Sequence, residues 1–116
     1  MFEKIKDETS LLVKKIKKTQ EYIDYLNYKS ILERDEELYR QTQEFRRKSF
    51  EIQASHHYGF YNAYENLVNL KNENENLLCE PKVKLFLDAE LKISKLISAV
   101  YDTIAEDIDF DIRFLD

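Results

Sequence analysis

The chain has 116 residues, of which 43% are hydrophobic and 35% charged; it contains one glycine and one proline and carries a net charge of −5. Sandwiches, barrels and doubly wound sheets need glycine or proline at many turns, so this composition leaves helices joined by short polar loops. One glycine cannot build a phosphate-cradling loop, and one cysteine with two histidines cannot complete a structural zinc site or ligate an iron–sulfur cluster.

The first periodic segment places Ile5, Leu12, Ile16, Thr19, Ile23 and Leu26 on a heptad-like stripe. It predicts helix from about Glu8 to Leu32, in one piece or two, because Thr19 can cap a fresh helix. Asp35-Glu36-Glu37 is the next start signal, with acids on the positive end of a helix. Leu38, Thr42, Phe45, Ser49 and Ile52 follow as a narrow stripe, flanked by Tyr39 and Phe50. Ser55-His56-His57-Tyr58-Gly59 reads as a loop. A shorter helix over about Phe60 to Asn72 would put Tyr61, Tyr64, Leu67 and Val68 on one face, before fraying in the Asn72–Asn76 run.

Pro81 suits the first turn of a helix, where its missing N–H costs nothing. The segment after it has the strongest period in the chain: Val83, Phe86, Leu87, Ile93, Ile97, Val100, Ile104 and Ile108. About 26 residues at 1.5 Å each give about 39 Å, more than a small globule needs. So long an apolar strip predicts that copies of the chain share it. The candidate seam is Val83, Phe86, Leu87, Glu90, Ile93, Ile97, Val100 and Ile104. Glu90 falls within it and has two readings, a carboxylate at the edge reaching water or an interfacial charge that fixes register. The end, from Asp107 to Phe114, alternates with period two and reads as a short extended tail. The resulting expectation is all-α: a bundle of four to five antiparallel helices with a long C-terminal helix, oligomeric. It forms one domain over residues 1–116, with a helical core over about 8–108 and a tail over 109–116.

Charge is uneven. Residues 1–20 carry lysines 4, 6, 14, 15, 17 and 18 against Glu3, Asp7 and Glu8, whereas residues 102–116 carry six acids against Arg113. Two solvated ends are one reading; the other is attraction between the ends of neighbouring chains, as in an antiparallel assembly.

No cluster carries catalytic chemistry. Asp107, Asp109 and Asp111 open like a calcium loop, but its sixth position would be Ile112 and its twelfth lies beyond residue 116. His56 and His57 read as a solvated pair, and Cys79 as a partly buried apolar thiol of a reducing cytoplasm. Tyr22, Tyr25 and Tyr28, and again Tyr58, Tyr61 and Tyr64, recur at three-residue steps that suit half-buried packing or protein contact. No stretch approaches the length of a membrane span, and no apolar signal core follows Met1.

Three segments resemble the YlbF/YmcA family of small bacterial helical proteins. Residues 16–28, running from Ile16 through Thr19, Glu21 and Tyr22, resemble its opening; Asp35-Glu36-Glu37-Leu38 with Phe45 resembles its second segment; Glu80-Pro81-Lys82-Val83 through Phe86-Leu87-Asp88-Ala89-Glu90 resembles its third. The resemblance implies an all-helical, non-enzymatic regulatory subunit that forms dimers or tetramers through its long last helix. It also implies a role beside the partner YaaT in competence, sporulation and biofilm formation, and in mRNA processing with ribonuclease Y. Iron–sulfur clusters bound through cysteines accompany that complex; this chain has only Cys79, so no cofactor is assigned to it.

The leading expectation is therefore a cytoplasmic adaptor with no cofactor and no catalytic residue. It binds itself, as a dimer or tetramer, and a larger regulatory protein. The alternative is a nucleic-acid accessory protein using Lys14, Lys15, Lys17 and Lys18 with Arg46, Arg47 and Lys48. An enzyme with composite sites at a dimer interface is a third reading.

Overall fold

A computed structural model describes residues 1–57 and 62–109, the side chains of His56 and His57 excepted. Its elements are α1 (Phe2–Ile16), α2 (Gln20–Glu33), α3 (Glu36–His57), α4 (Ala63–Glu73), α5 (Glu75–Cys79) and α6 (Pro81–Ile108). No strand occurs among the described residues. The chain is all-α, with six helices among the described residues where the sequence suggests four to five.

The first predicted helix is two. α1 closes at Ile16, whose carbonyl accepts a bond from the Thr19 hydroxyl at 2.6 Å, and the Thr19 hydroxyl oxygen in turn accepts from the Tyr22 N–H at 3.3 Å. Thr19 thus ends one helix and caps the next. α1 starts at Phe2, not near Glu8, because residues 3–8 hold nothing that breaks a helix and Glu3 lies on its positive end.

Asp35 opens α3 as predicted, with Oδ1 accepting from the Leu38 N–H at 3.3 Å. Its Oδ2 lies 3.6 Å from the Lys82 ammonium, so one carboxylate joins the starts of α3 and α6. Asp35→Ala is expected to lower stability by about 0.5–2 kcal/mol, as loss of an N-cap does. Asp35→Asn keeps a capping oxygen and gives up only an exposed ion pair, so its loss stays below about 1 kcal/mol. Urea denaturation of the two variants checks the order.

α3 runs into the predicted loop as far as His57, and Tyr58 and Gly59 of that loop lie outside the described residues. Ser55 donates its hydroxyl to the Ile52 carbonyl at 2.7 Å, and no breaker precedes Gly59. The Asn-rich run does not fray. Asn74 donates through its side-chain amide to the Leu70 carbonyl at 2.8 Å, closing α4, and its own carbonyl accepts from the Leu78 N–H, opening α5. Glu80 is extended, as the residue before a proline favours, and α6 begins at Pro81. α6 ends at Asp109, which takes the left-handed conformation at φ 60°, a helix stop that aspartate tolerates. Asp107 and Ile108, predicted as extended, are thus helix, and Asp109 is the stop that follows; the predicted tail from residue 110 onward lies outside the described residues.

The chain divides into two compact units. One is Tyr28–Leu87; the other is Met1–Asn27 with the segment from Asp88 onward. The Tyr28–Leu87 unit holds the densest core, in which Leu32, Thr42, Val83 and Phe86 are at most 1% exposed. Phe45, Ala63 and Leu70 are buried in it as well. Within it α4 and α5 pack on α3. α4 turns Ala63, Leu67 and Leu70 inward, while Tyr64 and Val68, predicted on the packed face, are exposed. The small Ala63 lets the two backbones approach, which sets the buried stripe one residue round from the prediction. Thr42, the buried polar residue of this core, donates to the Leu38 carbonyl at 2.7 Å, so its hydroxyl carries no desolvation penalty.

Candidate interaction surface

In the other unit the apolar residues are mostly outside. Among the described residues, α1 buries none of its side chains, with Phe2 73% and Ile5 58% exposed. On α6 the residues Ile97, Tyr101, Ile104 and Ile108 are all exposed. They stand at i, i+4, i+7 and i+11, which puts them on one narrow stripe. Of the sixteen exposed large hydrophobic residues among the described ones, seven precede Tyr28 and five follow Leu87, so twelve belong to this unit. Its buried residues are Ala89, Ile93 and Ala105. A core so small beside so much exposed apolar surface is what an interaction face looks like.

The predicted seam residues therefore divide along α6. Val83 and Phe86 lie inside the core of the Tyr28–Leu87 unit, and Leu87 is half-buried there. Glu90 and Val100 are half-buried, with the Glu90 Oε2 out of reach of solvent, and Ile93 is buried. Only Ile97 and Ile104 of the eight are exposed, each by about half. Tyr101, which the seam omits, stands between them and belongs to the same stripe; its four-residue step from Ile97 is the signal that marks it. Phe2 is likewise absent from the predicted stripe, since the predicted helix began too late to include it.

The two basic patches differ. Lys14, Lys15, Lys17 and Lys18 are exposed at the carboxyl end of α1 and in the turn after it. The Arg46–Lys48 patch is occupied by its own neighbours. Arg46 lies over the Phe86 ring, 5.2 Å from its centre, and donates to Gln43. Arg47 pairs with Glu51 at 2.7 Å and Lys48 with Glu44 at 3.7 Å. Upstream, Arg40 chelates Glu37 at 2.6 Å, and that hydrogen bond, with the charge beside it, holds the Glu37 carboxyl below its ordinary value. A groove of about 370 Å³ runs beside these residues, lined by Arg40, Glu44, Phe45, Lys48, Asn74 and Leu77. Its cations face carboxylates within one or two helical turns, so it offers no net charge to an anion.

Cys79 is exposed, not partly buried as predicted, because it closes the short α5 at its solvent side. Tyr22, Tyr25 and Tyr28 are half-buried, whereas Tyr64 is exposed; Tyr58 and Tyr61 lie outside the described residues, as do the imidazoles of His56 and His57. Among the described residues no three histidine, cysteine or acidic side chains gather as a metal site, and no helix is long and apolar enough to cross a membrane.

Residues 5–109 match the family model described as control of competence regulator ComK, YlbF/YmcA. The chain belongs to the YlbF/YmcA family. It is 30% identical over 97 residues to a UPF0342 protein of Desulfitobacterium hafniense, covering 84% of this chain and 78% of that one. A UPF0342 protein of Caldicellulosiruptor bescii is 24% identical over 95 residues, covering 82% of this chain and 80% of the relative. No solved structure matches. The YlbF/YmcA match covers α2 to α6 whole and α1 from Ile5 onward, so the open stripe of α6 and most of α1 lie within the family's own segment. The family's description is regulatory and names no reaction.

Proposed function

We propose that this protein is a non-enzymatic regulatory adaptor of the YlbF/YmcA type, which associates with itself and presents a face to a larger regulatory protein. The family's link to ComK and the resemblance point to developmental control or mRNA processing as its setting. The observation that carries the reading is the exposed stripe Ile97, Tyr101, Ile104 and Ile108 on a helix whose first turns bury Val83 and Phe86 in the chain's own core. Four large apolar side chains stand in one line, each about half to two-thirds exposed, so covering each one contributes about half of the 1.5–3 kcal/mol that full burial of such a side chain is worth. A second copy is always at hand to cover them. The mechanism is burial of helix surface, with no bond made or broken.

Sedimentation equilibrium is the test. A single chain weighs 14.0 kDa, and the mass at micromolar concentration is expected to be a multiple of that. A mass that stays at one chain across the concentration range rejects self-association. The nucleic-acid reading has less support, because the net charge is −5 and three cations of one basic patch already have partners. It retains the exposed lysines at the end of α1.

A further inference from the structure

We infer that the surface covering the open stripe of α6 is α1 of a second copy, lying parallel to it with its lysine-rich end against the acidic end of α6. The inference rests on the self-association reading and names the contact that would produce it.

Pattern is the first argument. On α6 the stripe is Ile97, Tyr101, Ile104 and Ile108; on α1 the residues Ile5, Thr9, Leu12 and Ile16 repeat the same steps of four, three and four. Both stripes are about 16 Å long at 1.5 Å per residue. Both fall on helices that leave them partly open: Ile5 is exposed, Leu12 and Ile16 are half-buried, and nothing on α1 is fully buried. Matched steps of this kind are what side chains need to interlock between two helices.

Charge decides between the candidate occupants. The last turns of α6 carry Asp102, Glu106 and Asp107, followed by Asp109, all exposed, and no basic residue stands in the final turn. Carboxylates at the negative end of a helix dipole repel it, so this end gains from any cation brought near. Two α6 stripes laid parallel would bring both acidic sets within about 10 Å, inside the screening length at 0.1 M salt, and oppose the contact; laid antiparallel they would separate those sets but bring only Lys95 near the acidic end. α1 carries the opposite charge. When Ile5 is set level with Ile97, Lys14, Lys15 and Lys17 come level with Glu106, Asp107 and Asp109, and Glu3 with Lys95. An antiparallel placement that keeps the lysines beside the acids runs Ile5 past the end of α6, leaving the stripe bare. The attraction is that of two oppositely charged ends within a screening length, not of fixed ion pairs. Two such contacts, α1 on α6 in each direction, make a closed two-fold dimer.

The test uses two full-length variants. One replaces Lys14, Lys15, Lys17 and Lys18 with glutamate; the other replaces Asp102, Glu106, Asp107 and Asp109 with lysine. Each alone sets like charges against each other in both contacts, and its dissociation constant is expected to rise at least about tenfold by sedimentation velocity. Mixed in equal amounts, the two are complementary in both contacts, and association returns to the wild-type level. Variants that associate alone as tightly as wild type, or a mixture no tighter than its parts, overturn the inference while leaving self-association standing. A wild-type protein that is itself a single chain overturns both. Disulfide trapping supplies a measurement that does not depend on the charge variants. In a Cys79→Ser background, Ile5→Cys mixed with Ile97→Cys is expected to form a cross-linked dimer. Ile16→Cys with Ile97→Cys is expected to form none, and the reverse preference overturns the parallel arrangement.

Discussion

Replacing Phe86 with alanine is expected to remove about 3–5 kcal/mol of folding stability, as large-to-small changes of fully buried aromatics do. Phe86 is 1% exposed and sits one helical turn beyond Val83, in a core that also holds Leu32. The lost ring is also the platform under the Arg46 guanidinium, a contact worth about 0.5–1 kcal/mol where the cation keeps access to water. Small domains have about 5–15 kcal/mol in total, so this one side chain holds a large share. Urea denaturation followed by circular dichroism measures it directly; a loss below about 1 kcal/mol would mean that the ring is not the centre of this core. Phe86→Asp goes further, burying a charge with no water, and therefore reports on folding and not on association.

That placement shows where sequence reasoning reaches and where it stops. Periodicity finds the stripe after Pro81 correctly, because apolar residues at helical spacing line up whatever covers them. It does not say what the cover is. Val83 and Phe86 are enclosed by their own chain and Ile97 and Ile104 are not, yet all four look alike in a one-dimensional pattern. The break at Thr19 and the starts at Asp35 and Pro81 were legible because each depends on a side chain acting within its own turn. The run of α3 through Ser55 was not: loop-forming residues are also tolerated in helices when their hydroxyls bond back to the preceding turn, as Ser55 does. The inward face of α4 was missed for a related reason. A small residue, Ala63, decides how closely two helices approach, and the large Tyr64 beside it draws attention to the wrong side.

The basic patches show the same limit in electrostatics. Arg46, Arg47 and Lys48 read as a local excess of charge, but the helix sets Glu44 and Glu51 at the spacing that pairs with them. Lys14 through Lys18 have no acid between Thr9 and Gln20, so the sequence alone already marks them as unbalanced. Charge runs carry information about partners only after the pairs at three and four residues have been set aside.

The double substitution Ile97→Asp with Ile104→Asp is expected to raise the self-association constant for dissociation more than about a hundredfold while leaving the fold intact. The two halves of this expectation come from different facts. Ile97 is 53% and Ile104 48% exposed in the single chain, so each aspartate can reach water there, and surface changes of this kind usually alter stability by less than about 0.5 kcal/mol. In the assembled state the same positions would face apolar side chains, and enclosing even a partly solvated carboxylate costs several kcal/mol unless it is paired. A hundredfold change corresponds to about 2.7 kcal/mol, well within that cost. The added charge also enlarges the acidic end of α6, which strengthens repulsion between like faces. Sedimentation velocity and thermal unfolding on the same samples separate the two effects: a shift to the 14.0 kDa species with an unchanged melting temperature places the contact on this stripe. An unshifted oligomer rejects the stripe as the seam, and an oligomer lost together with the fold would mean that Ile97 and Ile104 serve the chain's own core after all.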